Sequence, residues 1–187
     1  MYEPLTADPT DTSRKNLRSL LISYSTETKD PVLTQLAAHL KFASNYKSPE
    51  LYGLPKLHKP GIPLRPIVST VGSTTSELSR YLKKIIQPLT GKEPSFVKNS
   101  TTLVDEIRNW PLSPDEILVS YDVKELFPSI PISHTLKTLY ELLNKDKTLA
   151  NRTKLNPFHI TKLVSFCMQE GNYFLFDNIF TSSLREP

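Results

Sequence analysis

Residues 51–70 read LYGLPKLHKPGIPLRPIVST, and their prolines restrict the backbone more than any other feature of the chain. Each proline removes an N–H and fixes φ near −65°. A helix through Pro55, Pro60, Pro63 and Pro66 is therefore excluded, and a strand there can stand only at a sheet edge or in an irregular position. KPGIP combines Pro and Gly where a turn must form. The reading is a twisted, exposed hairpin with one short β-prone arm on each side of that turn. Its charge is one-sided: residues 51–76 contain no Asp or Glu, in a chain with 19 acidic residues, yet carry Lys56, His58, Lys59 and Arg65. Lys56 and Arg65 fall on opposite arms, so their side chains can converge on one anion, Arg as a planar fork and Lys as a mobile point charge. The plain alternative is a solvated basic face.

Most of the chain outside the hairpin has helical period. After an extended, turn-rich lead-in over 1–13, Leu17, Leu20, Leu21 and Tyr24 share a helix face. Asp30 and Pro31 suit the N-cap and first position of a second helix, with Leu33, Leu36, Ala37 and Leu40 inward. TTSE at 74–77 has the pattern of a capping box, opening a helix with Leu78, Leu82, Ile85, Ile86 and Leu89 on its apolar face. A short helix over 101–110 stops before Pro111. Ser133 is expected to cap a helix carrying Leu136, Leu139, Tyr140 and Leu143. Asn156–Pro157 opens a last one with Ile160, Leu163, Val164 and Cys167 inward. YFLFDNIFTS closes as a hairpin turning at Asp177 and Asn178. The fold class expected is α+β.

Length and composition narrow the chemistry. The 187 residues suffice for one domain, or one and a half. The net charge of +4 is compatible with a polyanionic partner without requiring one. A single cysteine excludes an internal disulfide framework and a Cys-rich zinc site, and the four histidines lack metal-ligand spacing. No apolar run approaches the roughly 18 residues of a membrane span, and no signal peptide opens the sequence, so the expected setting is intracellular, the nucleus included. No glycine-rich phosphate loop is present.

The remaining signal is ILVSYD at 117–122. Residues 117–121 read as a strand buried on both faces, since a β-prone apolar run with little alternation suits a central strand. It ends at Asp122. An unpartnered buried carboxylate is costly, so this residue is a strand-end cap, half of an ion pair, a cation ligand or a catalytic group. A phosphatase-type nucleophilic aspartate is disfavoured, because its partner acid two residues on is Lys124 here.

A basic hairpin, a helical spacer, then an Asp followed five residues later by an aromatic: this order resembles the fingers and first palm motif of reverse transcriptases. YGLPKLHKPGIPLRPIVS, VKNS at 97–100 and VSYDVKELFPSIP are similar to Penelope-like retroelement reverse transcriptases, and the similarity runs from about Asp8 to Phe176. The resemblance implies a helical region over 1–50, a fingers-like hairpin with helices over 51–116, and an incomplete right-hand palm over 117–187. It implies that Lys56 and Arg65 grip the triphosphate of a dNTP and that Phe127 lies under its sugar. His58 and Lys59 would contact nucleic acid. Asp122, with the Val123 carbonyl, would ligate Mg²⁺ in a two-metal site, facing Lys56 and Arg65 across an open cleft. RNA template, DNA primer and dNTP are the implied partners. The paired aspartates of a YxDD segment and the glycine-rich palm segment are absent. The expectation is therefore a reverse transcriptase fragment, truncated before those motifs and inactive alone. The alternative is a non-catalytic nucleic-acid-binding module.

Overall fold

The computed structural model describes residues 2–42, 45–111, 113–123, 126 and 129–183. Helices and one mixed five-stranded sheet make up the fold, so the class is α+β. The strands are β1 (Tyr2–Pro4), β2 (Glu50–Pro55), β3 (Leu64–Ser69), β4 (Tyr173–Phe176) and β5 (Ile179–Ser183). Their order across the sheet is β1-β5-β4-β2-β3, with β2 and β4 parallel and the other pairs antiparallel. Strands from 1–50, 51–116 and 117–187 thus share one sheet.

The described residues form six α-helices: α1 (Thr10–Thr28), α2 (Pro31–Phe42), α3 (Ser76–Ile86), α4 (Ser100–Arg108), α5 (Ile132–Lys145) and α6 (Pro157–Ser165). The expected stripes are buried where α1, α2, α3 and α6 meet, with Leu17, Leu21, Leu33, Leu78, Ile85, Ile160 and Leu163 sealed from solvent. By contrast α4 buries no residue and α5 buries only Leu143. The lead-in is shorter than expected, because β1 pairs with β5 and α1 begins by Thr10.

Several caps follow the sequence. Lys29 ends α1 in the left-handed region at φ 57°. Asn156 caps α6 by accepting from the His159 N–H at 2.9 Å, and His159 Nδ1 accepts from the Asn156 N–H at 3.4 Å, closing a reciprocal box. That leaves His159 Nε2 to donate to Glu27 on α1, 3.1 Å away. Asp177 and Asn178 both have positive φ, 49° and 61°, as a tight two-residue hairpin requires.

Two expected caps do not form. Thr75 precedes α3 with helical dihedrals, φ −95° and ψ −6°, and its side chain makes no capping bond, so TTSE is no capping box. Instead Ser73 and Thr75 are buried with their hydroxyls 3.4 Å apart. Ser133 lies inside α5. Pro131 stands at the N-cap, and its carbonyl accepts from the Thr135 N–H and hydroxyl, both at 2.9 Å, which starts the helix before Ser133.

Asp30 is more than the cap read from the sequence. It is 3 % exposed and accepts from the N–H groups of Val32 (2.9 Å) and Leu33 (3.3 Å), the Tyr81 hydroxyl (2.9 Å) and the Thr153 hydroxyl (3.2 Å). One carboxylate thereby ties α2, α3 and the segment before α6 together. Burial pushes the Tyr81 phenol up to about 12, the Thr153 hydroxyl acting in the opposite direction and Asp30 in the same one. The unfolded chain releases this proton near pH 10 while the folded chain keeps it. Tyr81 therefore stabilises the fold fully below pH 10, and the contribution fades as pH rises towards 12. Chemical denaturation at pH 9 and pH 11 is expected to show this decline, and Tyr81→Phe is expected to reduce it. An equal decline in wild type and variant would remove Tyr81 as its cause.

Candidate functional site

The prolines place the hairpin as the sequence suggests. β2 and β3 pair from Glu50↔Ser69 to Pro55↔Leu64, and a Lys56 N–H to Pro63 carbonyl bond of 3.0 Å adds one rung. The turn follows through Lys59 N–H to Lys56 O and Ile62 N–H to Lys59 O, with Gly61 at φ 71° and Ile62 at φ 42°. Because the Lys56–Pro63 rung is hydrogen-bonded, alternation makes Gly53↔Pro66 a non-hydrogen-bonded pair. The N–H that Pro66 lacks would have pointed to the open edge of the sheet, where it costs no ladder bond.

The hairpin root is anchored and its arms are free. Leu175 N–H donates to the Pro49 carbonyl at 2.7 Å, and Lys47 N–H donates to the Gly72 carbonyl at 3.1 Å. Ser48 shares a 2.6 Å hydrogen bond with the Thr10 hydroxyl and donates to Asp8 at 3.2 Å. Beyond this root Leu54, Leu57, Ile62, Leu64 and Arg65 are exposed.

Register decides which side chains meet. Alternate residues share a face, and directly opposed residues lie on the same face. Tyr52, Leu54 and Lys56 therefore stand on one face with Ile67, Arg65 and Pro63 opposite them. Lys56 and Arg65 are diagonal neighbours there, a separation of roughly 7–8 Å at the backbone, within reach of one phosphate group for two long side chains. The other face carries Leu51, Gly53, Pro55, Leu64, Pro66 and Val68. A Cβ on Gly53 would lie 2.9 Å from Leu64 Cδ1, so the glycine leaves room for that side chain to fold across the strand. His58 and Lys59 are exposed in the turn.

The expected strand at 117–121 does not form. These residues make no backbone hydrogen bond among the described residues and belong to no strand, with Ile117 82 % and Tyr121 91 % exposed. A β-prone run becomes a strand only when a neighbour completes its ladder. The sheet edges at β1 and β3 are open, but among the described residues neither pairs with this run. Asp122 and Val123 are consequently exposed, and Asp122 makes no hydrogen bond or ion pair among the described residues, with Lys56 and Arg65 or otherwise. Phe127 lies outside the described residues.

Among the described residues no group of three or more His, Cys, Asp or Glu side chains could hold a metal ion. Mg²⁺ requires several oxygen ligands in near-octahedral order. Asp122 and the Val123 carbonyl do not by themselves fit it. Cys167 offers no reactive thiolate: burial pushes its thiol up to about 11, against a hydrogen bond from Ser79 that acts the other way. No helix among the described residues is long and apolar enough to cross a membrane.

Tyr52 is the residue that reading the sequence for charges passed over. The residue is 47 % exposed, one step from Arg65 and two from Lys56 along the same face. The signal was its position, an even number of residues before Lys56 on a β-prone arm. The chain matches no family model, no curated protein and no solved structure.

Proposed function

We propose that the chain is the nucleotide-gripping part of a retroelement reverse transcriptase, with the β2–β3 hairpin as its phosphate-binding fingers element. One observation carries the reading: Lys56 and Arg65 share a face of a projecting hairpin in a stretch without any Asp or Glu. In this reading the two cations neutralise a nucleotide triphosphate, and His58 and Lys59 add phosphate contacts along a nucleic-acid strand. Asp122 would be one carboxylate of a metal site whose other ligands lie outside the described residues. These residues alone accomplish no nucleotidyl transfer, because two cations roughly 4 Å apart need more than one carboxylate.

A second reading, a nucleic-acid-binding module without catalysis, is favoured by the lack of a carboxylate cluster among the described residues. Both readings require binding governed by phosphate contacts. Fluorescence anisotropy of a labelled single-stranded oligonucleotide is expected to show affinity falling as salt rises. Replacing Lys56, Lys59 and Arg65 by Ala should weaken all sequences alike and flatten the log–log salt slope by roughly 0.7 per lost contact. An unchanged slope would reduce the hairpin to a solvated basic face. Metal dependence separates the two readings: dNTP binding that Mg²⁺ strengthens in wild type but not in Asp122→Asn would reject the module, which needs no cation at Asp122, and binding indifferent to Mg²⁺ in both would favour it.

A further inference from the structure

The exposed ring of Tyr52 stands on the cationic face of the hairpin with no assigned task. It makes no ring contact, and its hydroxyl makes no hydrogen bond, among the described residues. A half-exposed tyrosine without a partner on a strand is ordinary taken alone. Its setting is not. Tyr52 opposes Ile67, and the next rung towards the tip pairs Leu54 with Arg65. The rung after that brings in Lys56. Ring, guanidinium and ammonium thus succeed one another along one face at intervals of two residues, about 7 Å per step. Glu50 lies one step beyond Tyr52 in the other direction, on the same face, opposite Ser69. The row is polarised: cations towards the tip, the aromatic next, a carboxylate at the root.

We propose that Tyr52 is a base-stacking residue, on which a nucleobase lies flat while phosphates of the same nucleotide or strand reach Arg65 and Lys56. This rests on the phosphate-binding reading of the hairpin and adds to it the part of the ligand that is not phosphate. A purely phosphate-binding face has no use for an aromatic ring. A base needs a flat apolar platform, and stacking works on any base because each presents a π-face. Exposed Leu54 between the ring and Lys56 supplies apolar contact suited to the sugar. The Glu50 carboxylate repels phosphate at the root, so the ligand has one favoured direction: base towards the root, phosphates towards the tip.

The test compares ligands with and without bases. A labelled dT12 strand is paired with a 12-mer of abasic sites, and dTTP with inorganic tripolyphosphate, each titrated against wild type, Tyr52→Ala and Tyr52→Phe. Tyr52→Ala is expected to weaken dT12 or dTTP about tenfold, leave its base-free counterpart within about twofold, and be rescued by Tyr52→Phe. In Tyr52→Trp, whose new indole replaces the ring, the ligand with bases is expected to quench fluorescence and its base-free counterpart is not. Selective loss for dT12 alone identifies a strand as the ligand, and for dTTP alone a free nucleotide. Equal loss for ligands with and without bases, or no loss, overturns the stacking role while phosphate binding by Lys56 and Arg65 stands. Failure of all four ligands to bind wild type overturns both.

Discussion

Asp30→Ala is expected to be the most damaging single substitution in the core, lowering stability by on the order of 4 kcal/mol. The cap of α2 accounts for about 1 kcal/mol. The remainder arises because the Tyr81 and Thr153 hydroxyls, which also share a 2.8 Å hydrogen bond, lose their acceptor while still turned inward. In a chain of this size the melting temperature should fall by roughly 8–16 °C. Asp30→Asn keeps one acceptor oxygen but turns an amide donor towards one set of donors, so an intermediate loss is expected. Urea denaturation monitored by circular dichroism measures all three proteins. A loss under about 1 kcal/mol for Asp30→Ala would show that the three segments are held by apolar packing and that the carboxylate is incidental.

The second large effect concerns association. Residues 117–121 combine β-propensity, apolar character and exposure, with no proline and no ladder partner. Such a segment is a template for pairing with another copy. The chain made alone is expected to self-associate in size-exclusion chromatography, with a broad thermal transition. Val119→Lys puts a charge in the centre of the run and is expected to shift most of the protein to the monomer position at equal concentration. YFLF over β4 is expected to contribute less, since Tyr173 and Phe174 are buried and the strand pairs with β2 and β5, leaving Phe176 as its exposed side chain. A wild-type chain that is monomeric with a sharp transition would overturn this account.

Much of the architecture is written locally. Helical period located α1, α2, α3, α5 and α6, because an apolar stripe is a local pattern read directly in side-chain spacing, and α4 was placed by the proline that follows it. Both hairpins were legible too, as proline, glycine and Asp-Asn leave the backbone few alternatives at those points. Caps were less secure. TTSE and Ser133 offered hydroxyls in suitable places, but the cap position depends on how the chain enters the helix, and neighbouring carbonyls and a proline decided that. The candidate residues divided in the same way. Lys56, His58, Lys59 and Arg65 sit on a hairpin whose geometry is local, so the exposure of His58, Lys59 and Arg65 and the half-exposure of Lys56 were foreseeable.

What the amino-acid sequence by itself determined is therefore the set of helices, the two tight turns and the one-sided charge of the first hairpin. Each depends on residues within a few positions of one another. The tertiary structure alone decided the rest. Strand order joined β1 and β5 to the hairpin, and packing turned Asp30 from a helix cap into a junction of three segments. Register put Tyr52 in line with Arg65 and Lys56. It also left 117–121 without a ladder, so the aspartate that had looked like the end of a buried strand stands in solvent. The physical reason is common to all four. A strand's face, a ladder's partner and a buried carboxylate's donors are supplied by residues distant in the chain, and a local pattern contains no information about which of them will arrive.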